Sequence, residues 1–155
     1  QDPEALARRL SAENTEILIH TEDLPWVKMG DGVDIKVLRV SEETGFWSAI
    51  IRMQPGAVFA SHKHLAAADF LILKGKLKYR MGEAPAGAYG YEPTGAVHET
   101  TTCDEETELT FNAYGPAIFF NEDGSVSQIL NHETALEMMQ GKEQHFSASK
   151  AKAAA

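Results

Sequence analysis

Eight short runs of branched and aromatic residues punctuate the chain between Asp34 and Leu130: DIKVLRV, GFWSAIIRM, DFLIL, KLKYR, GAYGY, ELTFNAY, AIFF and VSQIL. Turn-forming residues bound them, namely Gly32, Pro55 with Gly56, Gly75, Gly82, Pro93, Gly95, and Asp123 with Gly124. Each run suits a strand and is too short for an ordinary helix, and no helical pattern fills the gaps, so alternating βαβ units are excluded. Many short strands at this spacing predict an all-β sandwich or barrel. A length of 155 residues suits a single domain with its own core, and we place that barrel at residues 17–131.

The two ends read differently. PEALARRL opens on Pro3 and continues with good helix formers, which predicts a short helix or arm within residues 1–16. NHETALEMMQGKEQ breaks the strand period near the other end. Thr134 with Glu137 forms an S/T-x-x-E capping pattern, Leu136 and Met139 fall on one face, and Gly141 supplies a stop. A short C-terminal helix is expected there, with SASKAKAAA as a frayed end or tail of the 132–155 segment.

Charge and composition narrow the function. The balance of 14 Lys and Arg against 23 Asp and Glu leaves a net charge of -9, which repels phosphate backbones and argues against nucleic acid as a partner. No apolar run approaches the roughly 18 residues of a membrane span. The first residues lack the basic and apolar regions of a secretory signal, and the single Cys103 cannot form an intramolecular disulfide, so a soluble cytoplasmic protein is expected. Acidic neighbours in TTCDEETE raise the pKa of Cys103, which therefore reads as a bystander.

The segment FASHKHLAAADFLILKGKL places two histidines one residue apart. Side chains alternate along a strand, so His62 and His64 share one face about 7 Å apart, close enough for both to reach one metal ion. Gly56, His62, His64, Asp69 and Gly75 together spell G-(x)5-H-x-H-(x)4-D-(x)5-G. Farther on, Gly87, Pro93, Gly95 and His98 spell G-(x)5-P-x-G-(x)2-H. The remaining histidines, His20, His132 and His145, lie in polar or terminal stretches and read as surface residues.

These two segments resemble the paired motifs of the cupin superfamily. The resemblance implies a single cupin (double-stranded β-helix, jelly-roll) barrel whose metal ligands are His62, His64 and His98, with Asp69 as a fourth candidate. Two positions depart from the family pattern: Asp69 replaces the usual Glu, and Thr102 stands where Asn usually ends the second motif. Three neutral imidazoles leave the full dication charge for substrate, water or O2, and this set with open positions is the one favoured.

The stretch from Ile35 to Leu130 is also similar to the small cupin dioxygenases that include the acetylacetone-cleaving enzyme and 2,4'-dihydroxyacetophenone dioxygenase. PGAVFASHKH, Asp69 with Phe70, KGKLKYR, YEPTGAVHETT and YGPAIFFNEDGSV carry the similarity. What it implies is Fe(II) on three His, and cleavage by O2 of a carbon–carbon bond beside a carbonyl in a small β-diketone or aryl hydroxyketone. It assigns supporting roles near the metal to Glu92, Arg80 and Thr101. Strict alternation in KLKYR instead sends Arg80 to the solvent side with Lys76 and Lys78, opposite Leu77 and Tyr79. Phe59, Phe70, Ile72, Phe111 and Phe119 are expected to shape the pocket, and a mostly apolar lining suits a ketone better than a polyol. Zn, Mn or Ni are alternatives to iron, because three imidazoles do not select one metal. Rival expectations are a zinc-binding sensory cupin resembling those of anti-sigma factors, and a metal-dependent isomerase. By resemblance, a homodimer or homotetramer is expected.

Overall fold

The computed structural model describes residues 2–98 and 100–146; the SASKAKAAA tail lies outside them. Helix α1 (Pro3–Leu10) begins where Asp2 accepts the Glu4 and Ala5 N–H groups, and a one-turn 3-10 helix follows at Thr21–Asp23. The strands are β1 (Val27–Gly30), β2 (Val33–Val40), β3 (Trp47–Met53), β4 (Val58–Phe59), β5 (His62–His64), β6 (Ala68–Lys74) and β7 (Lys76–Tyr79), then β8 (Gly82–Pro85), β9 (Tyr89–Glu92), β10 (Val97–His98), β11 (Thr101–Thr102), β12 (Thr107–Ala113), β13 (Ala117–Phe120) and β14 (Val126–Leu130). Helix α2 (His132–Met139) closes the order.

The strands pair antiparallel as a six-stranded sheet in the order β1-β2-β3-β12-β6-β9 and two four-stranded sheets, β10-β5-β13-β14 and β4-β11-β7-β8. This is the all-β sandwich that the eight runs and their turns predict, with a short helix at each end. Alternation along β3 decides which side chains enter the core: Trp47, Ala49, Ile51 and Met53 are buried, and the residues between them are half-buried. Trp47 and Phe119 are among the largest fully enclosed side chains. Among the described residues no helix is long and apolar enough to cross a membrane.

The C-terminal helix differs in detail from its sequence pattern. Asn131 rather than Thr134 is its cap, accepting the Thr134 N–H at 3.0 Å, and Thr134 sits inside the first turn. Its buried residues are Ala135, Met138 and Met139, while Leu136 is half-buried. Gly141, at φ 90°, takes the left-handed backbone that ends the helix.

Two glycines are required, one by a tight turn and one by close packing. Gly75 joins β6 to β7 at φ 80°, and a Cβ there would lie 2.3 Å from the Glu106 carbonyl oxygen. Gly90 on β9 faces Phe70 on β6, and a Cβ there would lie 2.2 Å from the Phe70 ring. That ring lines the central cavity, so Gly90→Ala is expected to push it inward and to lower stability by about 1–3 kcal/mol, read from denaturant midpoints.

Candidate metal centre

Strand register, more than spacing alone, assembles the site. In the β10–β5 ladder His98 stands directly opposite His62, and on the other flank of β5 Phe119 of β13 stands opposite His62 as well. His64 lies two residues along β5, on the same face. Cross-strand partners project to one side of a sheet, so three imidazoles converge. One ring nitrogen from each of His62, His64 and His98 lies within 4.8 Å of the others. The His62 ring stacks on His98 at 5.1 Å and on Phe119 at 4.9 Å, and His64 meets both imidazoles edge-on. Ser61 donates its hydroxyl to the His98 carbonyl at 2.9 Å, which ties the two strands together at the site.

The proton arrangement favours metal binding. His62 Nδ1 lies 2.9 Å from the Ala60 carbonyl, an acceptor only, so that nitrogen carries the proton and Nε2 keeps its lone pair. Burial, opposed by that hydrogen bond, pushes the His62 pKa down to about 4 and keeps the ring neutral at pH 7. His64 and His98 are 3% and 4% exposed, and apart from the Glu92 carboxylate their Nε2 atoms have no polar partner. Unsatisfied buried nitrogens are costly unless something occupies them. Three clustered imidazoles fit a divalent transition metal.

Glu92, at the end of β9, reaches this cluster from the six-stranded sheet. Its carboxylate lies 3.1 Å from His64 Nε2 and 2.5 Å from His98 Nε2, within ion-pair distance of both nitrogens. Burial opposes its ionisation, yet the two imidazoles outweigh that and hold its pKa down at about 2. Glu92 is thus an anion poised where a dication would be held.

Asp69 corrects the expected ligand set. Ala68 and Phe70 of β6 are buried, which turns Asp69 to the outer face of the sheet. There it accepts Asn112 Nδ2 and the Tyr89 hydroxyl, each at 2.9 Å. Asp69→Ala is therefore expected to leave metal content unchanged and to cost about 1 kcal/mol of stability through those lost bonds, measured by metal analysis and denaturation. Arg80 is likewise outside the site: it is exposed in the turn after β7 and does not line the cavity, as alternation requires. Thr102 donates its hydroxyl to the Ala57 carbonyl at 2.8 Å and takes no part in the cluster.

The His62 and His64 imidazoles open onto a cavity of about 70 Å³ inside the barrel. Phe59, Phe70, Phe111 and Phe119 line it, as does Thr101, which pairs with Phe59 across β11 and β4. Ile72 does not: it shares the inward face of β6 with Phe70 but lies in the core, 1% exposed. The sequence reading did not assign Trp47 and Tyr79 to the lining. Alternation in KLKY already put Tyr79 on the inward face with Leu77, so its signal was present. Burial and then the Glu92 carboxylate raise the Tyr79 phenol pKa, which keeps it a neutral hydroxyl at the edge of an otherwise apolar wall.

The family model of the ChrR cupin-like domain matches residues 14–118. The chain belongs to the ChrR cupin-like domain family. Among curated proteins, this family member is 34% identical over 101 residues to the acetylacetone-cleaving enzyme of Acinetobacter johnsonii, a match covering 61% of the chain and 66%, just under two thirds, of that enzyme. Among solved structures it is similar to a candidate acetylacetone dioxygenase from Methylibium petroleiphilum PM1, with TM-score 0.77 and 29% identity over 84% of this chain and 98% of that one. It is also similar to an acetylacetone dioxygenase from Acinetobacter johnsonii, with TM-score 0.74 and 26% identity over 83% and 96% of the two chains.

Proposed function

We propose that this cupin is an Fe(II)-dependent dioxygenase that cleaves a carbon–carbon bond of a small β-diketone. The observation that carries the proposal is a cluster of three imidazoles whose ring nitrogens lie within 4.8 Å of one another, beside the Glu92 carboxylate at the wall of a mostly apolar cavity. Similarity to the acetylacetone-cleaving enzyme supports the same chemistry. Bound at His62, His64 and His98, iron would supply Lewis-acid polarisation of a chelating diketone and reactivity toward O2.

The protein's own groups set the substrate class. Three neutral ligands add no negative charge, so a monoanionic enolate with two oxygens is the complementary guest. Aromatic walls exclude water and receive alkyl groups, and only a few polar groups, among them Glu92, Thr101 and Tyr79, face the space. Similarity to the acetylacetone-cleaving enzyme favours pentane-2,4-dione over an aryl hydroxyketone such as 2,4'-dihydroxyacetophenone.

The direct test compares kcat/KM for these two ketones on iron-loaded protein. At least a tenfold preference for pentane-2,4-dione is expected; the reverse preference contradicts the proposed substrate. Iron is proposed over Zn, Mn or Ni because the reaction consumes O2, and loading each metal in turn checks it. Glu92→Gln removes the negative charge beside His64 and His98 while keeping the shape. We expect it to retain iron and to slow turnover by about 10- to 100-fold.

A further inference from the structure

Residues after α2 carry an arrangement that the mechanism above does not use. Strand β1 is an edge of the six-stranded sheet, and the chain returns along it after Gly141. The Gln144 N–H donates to the Lys28 carbonyl at 2.9 Å, and the Phe146 N–H donates to the Met29 carbonyl at 2.8 Å. Lys142, Glu143 and His145 are exposed, but Phe146 is 2% exposed. Its ring lies 5.0 Å from the Phe119 ring, and Phe119 in turn stacks on the His62 imidazole at 4.9 Å. Met29, whose carbonyl anchors the segment, and Phe119 both line the cavity, whereas Phe146 stands behind them.

We infer that residues 144–146 are a strap forming the back wall of the pocket, in which Phe146 is a positioning residue that holds Phe119 against His62 and limits the length of molecule the pocket admits. The inference about substrate length rests on the proposed diketone chemistry; the inference about positioning does not. Two backbone hydrogen bonds fix the strap to a sheet edge, and one aromatic side chain transmits its position through two ring contacts to a metal-binding imidazole. Truncating Phe146 removes the outer ring of that stack and leaves space into which Phe119 can retreat. The cavity then deepens behind Phe119, and His62 loses the surface that fixes its ring.

The test uses the full chain with Phe146→Ala, and Phe146→Leu as a variant that keeps most of the volume. The first readout is the 15N and ring-proton spectrum of the metal-free, folded protein. Phe146→Ala is expected to shift or broaden the His62 and Phe119 ring signals while those of His64 move least, and Phe146→Leu is expected to restore them. The second is calorimetric binding of β-diketones of increasing alkyl length to zinc-loaded protein, which does not turn them over. There, Phe146→Ala is expected to gain at least tenfold in affinity for the longer diketones relative to pentane-2,4-dione. Unchanged His62 and Phe119 signals in folded Phe146→Ala would overturn the strap. If those signals respond but neither protein binds any diketone, the positioning role stands and the proposed substrate, with the length limit that depends on it, is wrong.

Discussion

Replacing His98 with alanine is expected to abolish O2 uptake and to weaken binding of a divalent metal by more than about 100-fold, beyond what loss of a supporting group costs. His98 is one of three imidazoles whose donor atoms lie within 4.8 Å of each other, and two neutral nitrogens are a poor site for a dication. The substitution also removes the ring stacked on His62 and leaves Glu92 facing His64 alone. Metal analysis of purified protein, with a denaturant midpoint to show that the variant folds, separates ligand loss from unfolding. His20→Ala, at an exposed position far along the chain, provides the control and is expected to keep its metal. Stoichiometric metal and undiminished turnover in His98→Ala would contradict the three-histidine site.

The second large effect is structural. Gly75→Ala is expected to destabilise the fold by about 3–4 kcal/mol, combining a left-handed backbone unfavourable to L-residues with overpacking. The backbone there is at φ 80°, and the new Cβ would also meet the Thr107 side chain at 2.6 Å and the Thr107 Cα at 2.8 Å. Thr107 is fully buried, and its hydroxyl bonds backbone groups of Lys76 and Glu105, so it has little freedom to move away. Denaturation followed by circular dichroism measures the loss. Gly124→Ala is the useful contrast: it has a similar φ of 86° but nothing within 4 Å, so it should show only the backbone share.

Period-2 patterning and turn residues made the sandwich readable, because a strand that buries one face must alternate and a tight turn must interrupt it. Both devices are local. The three histidines were readable for the same reason: parity within β5 aligns His62 with His64, and the second motif brings His98. Asp69 shows where motif spacing misleads. Phe70 and Ile72 were assigned inward and Asp69 was kept as a candidate fourth ligand, yet adjacent residues of one strand cannot share a face. Alternation, applied consistently, would have sent Asp69 outward and left Glu92 as the acid of the site. It correctly opposed Arg80.

Depth and long-range docking were less accessible. Periodicity tells which face Ile72 occupies but not how far along the barrel it sits, so core and cavity wall look alike in sequence. Phe146 stands in a polar stretch, EQHFSASK, where no local pattern marks an anchor. Its pairing with β1 brings together residues more than a hundred positions apart, which no local pattern encodes. Helix α2 was found, but its cap was misplaced because the S/T-x-x-E pattern at Thr134 masked the Asn131 side chain one turn earlier.

The measurement closest to the central claim is 18O2 consumption by anaerobically Fe(II)-reconstituted protein given pentane-2,4-dione, with the zinc-loaded protein beside it. The account predicts uptake in the iron form alone, one O2 per diketone, with the label divided between a carboxylic acid and a 1,2-dicarbonyl product. No uptake in the iron form, together with zinc held tightly by the protein as purified, would contradict it and leave a metal-binding cupin without oxygenase chemistry.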